Sequence, residues 1–268
     1  MVRLAAEVSD VHYSVARFFL LVLLLSLPFW LLGSASDKQI LPGLPLSGLM
    51  VLVPTLSAVT LCSKVGGWHC VAGLLNRAMD VRQLRRPSYL AAFFLINPMI
   101  YVASAAWQVA MGVNLPWADP AVFQALGLFL LFFLAATLEE VGWSGFATDR
   151  LRVRYGALHT GLIIGSFWAA WHVWPLLQVG RSYEWIAWWT AGTVTTRTLM
   201  VWFYERTGRS VFAMAVFHAL SNTGWQLYPV QGSFYDPKLN ALITLTILVA
   251  VMFACRGKPH QTSDERER

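Results

Sequence analysis

Eight predominantly apolar stretches follow one another along the chain, at 14–34, 44–63, 88–111, 121–147, 157–178, 184–204, 209–228 and 239–256. Each is close to the roughly 20 residues a helix needs to cross a hydrocarbon core of about 30 Å. Inside that core the backbone must satisfy its own hydrogen bonds, which leaves helices and closed barrels as the spanning structures. The predicted fold class is therefore all-α, a polytopic transmembrane helical bundle of about eight spans, forming a single integral membrane domain over residues 1–268. Composition points the same way, since 57% of residues are apolar and 13% charged, against about 25% charged in soluble domains.

The net charge of +6 belongs to topology. Arg3, Arg17, Lys64, Arg77, Arg82, Arg85, Arg86, Arg150, Arg152, Arg154, Arg206, Arg209, Arg256, Lys258, Arg266 and Arg268 fall on one side of the eight spans; Lys38, Arg181 and Lys238 fall on the other. A bias of sixteen to three is the positive-inside pattern and predicts cytoplasmic termini. Without a contiguous basic stripe, no nucleic-acid partner is expected. The first span, with Arg17 before an apolar run and the small residues "GSAS" after it, also fits a signal peptide. The segment from Gly66 to Pro87 reads as an amphipathic helix on the inner surface or as a solvated loop. The tail at 257–268 has a disordered composition. Cys62, Cys70 and Cys255 are too few and too scattered for a disulfide framework, so structural roles are expected. Tryptophans such as Trp168, Trp171, Trp174, Trp185, Trp188 and Trp189 suggest interfacial belts, some of them available to line a pocket.

Against this background the end of the fourth span is anomalous. The run AVFQALGLFLLFFLAAT leads directly into LEEVGWSG, although an ionisable side chain inside a membrane costs about 2.5–3.5 kcal/mol on insertion scales. Glu139, Glu140, His172, Arg197, His218 and Asn222 form a short list of such costly groups; Asn97 and His159 are assigned to bonds between helices. At a rise of 1.5 Å per residue, Glu139 lies about 16 Å from Arg150, His218 about 14 Å from Arg209 and Arg197 about 12 Å from Glu205. Those depths match, whereas His172, about 22 Å from Ala157, comes out several ångströms too deep. His218 and Asn222 lie one turn apart on one helix face. Glu139 and Glu140 point about 100° apart, so they divide the work. Two neighbouring buried carboxylates repel, and Arg197 is the depth-matched cation to neutralise one. A buried carboxylate near a histidine is a general acid/base arrangement.

These residues also carry a resemblance. EEVGWSGF at 139–146, FWAAWH at 167–172 and FHALSN at 217–222 resemble the three motifs of the CPBP (Abi) family, which comprises type II CAAX prenyl endopeptidases and prokaryotic relatives, some linked to bacteriocin processing or immunity. The resemblance covers roughly 121–228, the catalytic core spans. It implies a glutamate-dependent intramembrane endopeptidase integral to the cell membrane, with the prokaryotic cytoplasmic membrane as the expected location, acting on a membrane-associated peptide or lipidated protein. By that resemblance Glu139 activates water with His172, His218 and Asn222 donate to the oxyanion, and Glu140 supports them. Trp168 stands where the family pattern has Phe. Ser144 stands where it has arginine, and the expected substitute is an Arg197–Glu140 ion pair that leaves Glu139 free for water. No cofactor is predicted. A zinc-dependent variant stays open as an alternative, although no helical HExxH is present; so do a non-enzymatic immunity or peptide-binding protein and a proton-coupled transporter.

Overall fold

The computed structural model describes residues 2–81, 87–117 and 122–254. Arg82, Arg85, Arg86 and the 257–268 tail lie outside the described residues. The described chain is nearly all helix: α1 (Val2–Ser34), α2 (Val53–Asn76), α3 (Pro87–Ala110), α4 (Val122–Glu140), α5 (Asp149–Leu151), α6 (Ala157–Gln178), α7 (Tyr183–Arg206), α8 (Val211–Leu227), α9 (Pro229–Gly232) and α10 (Pro237–Ala254). A π-helical segment, Val141–Thr148, joins α4 to α5. Between α1 and α2 lie a small antiparallel hairpin, β1 (Gln39–Leu41) with β2 (Leu44–Pro45), and a 3-10 turn, Leu46–Leu52.

Among the described residues five stretches are long and apolar enough to cross a membrane: Ser14–Ser34, Leu46–Asn76, Phe93–Ala110, Val122–Leu151 and Pro237–Ala254. Their outward faces show it. In α1, Val15, Phe18, Val22 and Ser26 are buried at helical spacing while Leu20, Leu24 and Leu31 are exposed, so the apolar surface faces lipid as well as the core. Phe18 packs edge-on to Trp143 and lies 5.3 Å from the Phe146 ring. The Trp171 indole donates to Ser26 Oγ at 2.7 Å, which ties α1 to α6.

The second expected span differs from the structure at both ends. The hairpin and 3-10 turn take its first residues, and α2 runs on to Asn76 through a kink at Gly66 and Gly67. Beyond the kink Val71 and Leu74 are buried in the bundle while Leu75 and Met79 are exposed, so this part of α2 is a helix with one face packed on the bundle. Arg77 donates to Asp149 Oδ2 at 2.6 Å, to the Gly145 carbonyl at 3.1 Å and to the Tyr204 hydroxyl. That knot ties the end of α2 to the π-helical segment. Cys62 and Cys70 form one disulfide across the kink.

The tightest helix pair is α6 with α7. A Cβ on Gly161 would lie 2.5 Å from Thr198 Cα, and one on Gly165 3.0 Å from Val194 Cα. Small residues four apart let two helix backbones approach in this way. The approach brings Arg197 on α7 over Trp168 on α6, guanidinium carbon to ring centre 4.1 Å.

Candidate active site

Four helices, α4, α6, α7 and α8, bring the costly polar residues together. Glu139 and Glu140 end α4 where the helix passes into the π-helical segment Val141–Thr148, within which the Thr148 hydroxyl also donates to the Trp143 carbonyl at 2.8 Å. Such π segments often occur at functional sites. The two carboxylates are 3% and 0% exposed, yet their partners differ completely.

Glu140 is saturated. Arg197 forks onto it, Nη1 to Oε2 and Nη2 to Oε1, both at 2.8 Å. Ser144, one turn along, donates to Oε2 at 2.5 Å, and His218 Nδ1 lies 3.0 Å from Oε1. The serine that replaces the family arginine therefore serves the same glutamate as a neutral donor. Charge compensation comes from α7. Arg197 is fully buried, and only its Nε lacks a partner.

Glu139 has no cationic partner among the described residues. Its Oε2 accepts from the indoles of Trp168 at 2.9 Å and Trp143 at 3.1 Å, and it lines a cavity of about 300 Å³. His172, His218 and Asn222 line the same cavity. His172 Nδ1 is 2.7 Å from the Trp168 carbonyl; since a carbonyl only accepts, Nδ1 carries the proton and Nε2 presents its lone pair in the neutral ring. The ring stands among Trp171, Trp168 and Trp189, at 4.8 to 5.5 Å between centres. Glu139 and His172 make no direct hydrogen bond to each other among the described contacts.

The sequence expectation that Asn97 serves packing agrees with its bond to the Phe217 carbonyl at 3.0 Å, although Asn97 also reaches the cavity wall. His159 is exposed and away from the site. Trp168, Trp185 and Trp189 line the cavity, and Trp171 is buried, so these tryptophans are core and site residues rather than a belt. What sequence reasoning missed is the pair of indole donors to Glu139 and the Ser144 bond. The signal for Trp143 and Ser144 was their position one turn beyond each glutamate. Among the described residues no group of three His, Cys, Asp or Glu is placed to share a metal ion.

Residues 121–224 match the family of type II CAAX prenyl endopeptidase Rce1-like proteins, a stretch that contains every residue of this site. Over that stretch the chain is similar to the CAAX prenyl protease-like endopeptidases. Over 247 aligned residues it is 24% identical to CAAX prenyl protease 2 of Methanococcus maripaludis, covering 83% of this chain and 88% of that relative. These similarities support a protease, carried on an all-α, helical membrane fold.

Proposed function

We propose that the protein is a glutamate-dependent intramembrane endopeptidase that cuts a peptide bond of a membrane-associated substrate, of prenylated CAAX type or bacteriocin type. The observation that carries this reading is the division of labour between the glutamates: one is neutralised and the other is left facing the cavity beside His172. In the proposed reaction Glu139, helped by the lone pair on His172 Nε2, takes a proton from water as the oxygen attacks the scissile carbonyl. The carbonyl becomes an oxyanion. His218 and Asn222 are the proposed donors to it, of a kind worth about 2.7–4 kcal/mol each in other proteases. Collapse breaks the C–N bond, and the proton held by Glu139 passes to the leaving amine.

His218 adds a condition. Its Nδ1 lies 3.0 Å from Glu140 Oε1; with Nδ1 donating to that carboxylate, Nε2 can donate to an oxyanion only in the imidazolium form.

The reaction is proposed to run on these side chains alone; stoichiometric bound metal with chelator-sensitive cleavage would overturn that part. The test of the whole is proteomic comparison of membranes carrying the wild type or Glu139→Ala, with a fragment expected only from the wild type. Full biological effect from the Glu139 variant would favour a non-enzymatic peptide-binding role. The basic bias supports cytoplasmic termini, and cysteine labelling of the 152–154 loop from outside intact cells would refute that orientation.

A further inference from the structure

Glu139 is one of two fully charged side chains among the described residues that line the cavity, the histidines aside. The other is Arg181, in the short loop between α6 and α7. Arg197 is clamped on a carboxylate, whereas Arg181 has no acidic partner among the described residues. Its guanidinium carbon lies 4.5 Å from the centre of the Trp185 ring. On its other side is the hairpin turn at Gly43, where a Cβ would come 3.6 Å from Arg181 Nη2 and 3.0 Å from the Trp225 ring. The glycine is required by its φ of +78° and by the close Trp225 ring, and its turn places backbone beside the guanidinium. Partial burial with no charge to offset it lowers the Arg181 pKa from its ordinary value.

The cavity is therefore polarised, with a carboxylate and histidines at one end, an arginine at the other, and apolar walls including Leu44, Leu176 and Trp189 between them. A peptide lying along it is oriented with its negative end toward Arg181. From His172 to the end of α6 at Gln178 the helix rises about 9 Å, and Arg181 follows three residues later. An extended chain covers about 3.3–3.6 Å per residue, so three or four residues bridge the scissile bond and the guanidinium. Guanidinium and carboxylate match as a fork. We propose that Arg181 binds the free C-terminal carboxylate of the substrate and so sets where the peptide is cut; this rests on the protease reading above.

The probe is a fluorescent prenylated peptide with three apolar residues after its lipidated cysteine, made as the free acid and as the C-terminal amide. Binding is measured on the full-length protein in detergent, and cleavage in parallel. The wild type is expected to bind the acid about tenfold or more tightly than the amide, from charge-assisted hydrogen bonding. Arg181→Gln should bind both forms as the wild type binds the amide, while Arg181→Lys keeps part of the preference. Equal binding of acid and amide by the wild type, no binding of the acid, or a preference that survives in Arg181→Gln overturns the proposal. Arg181-dependent binding of vesicles rich in anionic lipid, without preference for the acid, assigns the site to a phosphate headgroup and also overturns it. Preference for the acid without cleavage leaves the proposal standing and removes the prenylated CAAX-type substrate from the protease reading; cleavage without preference overturns the proposal and leaves that reading standing. If Arg181→Gln does not fold, the acid and amide on the wild type and on Arg181→Lys still decide.

Discussion

Glu139 and Glu140 are consecutive, similarly buried and on one helix, yet they inhabit two different regions of the molecule. On the packed side, Glu140 meets an arginine fork, a serine and a histidine. On the cavity side, Glu139 meets two indole N–H groups and open space. The 100° turn between neighbours is enough to separate a charge that holds helices together from one available for chemistry. Burial alone therefore says little about a membrane carboxylate; the partners on each oxygen say what it does.

The largest test of this contrast is Glu139→Gln, which should lower cleavage by about 10²–10⁴-fold, the range for a lost general base, with the unfolding temperature unchanged or raised. Glu140→Gln should do the opposite first, destabilising the protein by about 3–5 kcal/mol because Arg197 is left buried without its partner. Equal stability losses in the two variants would erase the distinction.

Arg197→Ala should cost a similar 3–5 kcal/mol, read from denaturation in detergent, and the double variant Glu140→Gln with Arg197→Ala should cost clearly less than the sum. Adding Ser144→Arg to Arg197→Ala should restore part of the loss by returning a cation from the same helix. In the wild-type background that substitution should destabilise, because Ser144 is buried beside an occupied fork. Additive single losses would sever α7 from the Glu140 cluster.

A finer test is Trp168→Phe, which removes the indole donor to Glu139 and keeps a ring beneath Arg197. Loss of one such hydrogen bond, about 1 kcal/mol, should change the cleavage rate by roughly fivefold to tenfold with little effect on folding. The smallest effect belongs to Ser144→Ala, about 1 kcal/mol of stability, since the arginine fork remains. A larger loss there than in Arg197→Ala would mean the serine is the principal support of Glu140.

The helical architecture and the residues of the cluster are legible in the sequence for one physical reason: ionisable groups in apolar spans are too costly to be incidental. The Arg197–Glu140 pair follows from that cost and from matching depth. Depth arithmetic fails for His172 because it treats the helices as parallel rods entering at one level, while the π-helical segment and the close α6–α7 crossing set the true levels. The second span and the segment from Gly66 read as separate elements, whereas α2 runs through both with a kink at Gly66 and Gly67. The hairpin at Gln39–Pro45 is too short to announce itself, and it is Gly43 within it that stands beside Arg181.

The lopsided distribution of apolar length has a consequence for biogenesis. Val122–Leu151 is apolar enough to enter the bilayer by itself, while α6, α7 and α8 fall outside the five stretches of that kind. Synthesis delivers Glu140 57 residues before Arg197, so the carboxylate must pass an interval of translation without its counter-ion. During that interval a neutral acid is cheaper to hold in the membrane than a carboxylate, so a nascent chain arrested before Arg197 lacks the charge pair that closes the α4 end of the site.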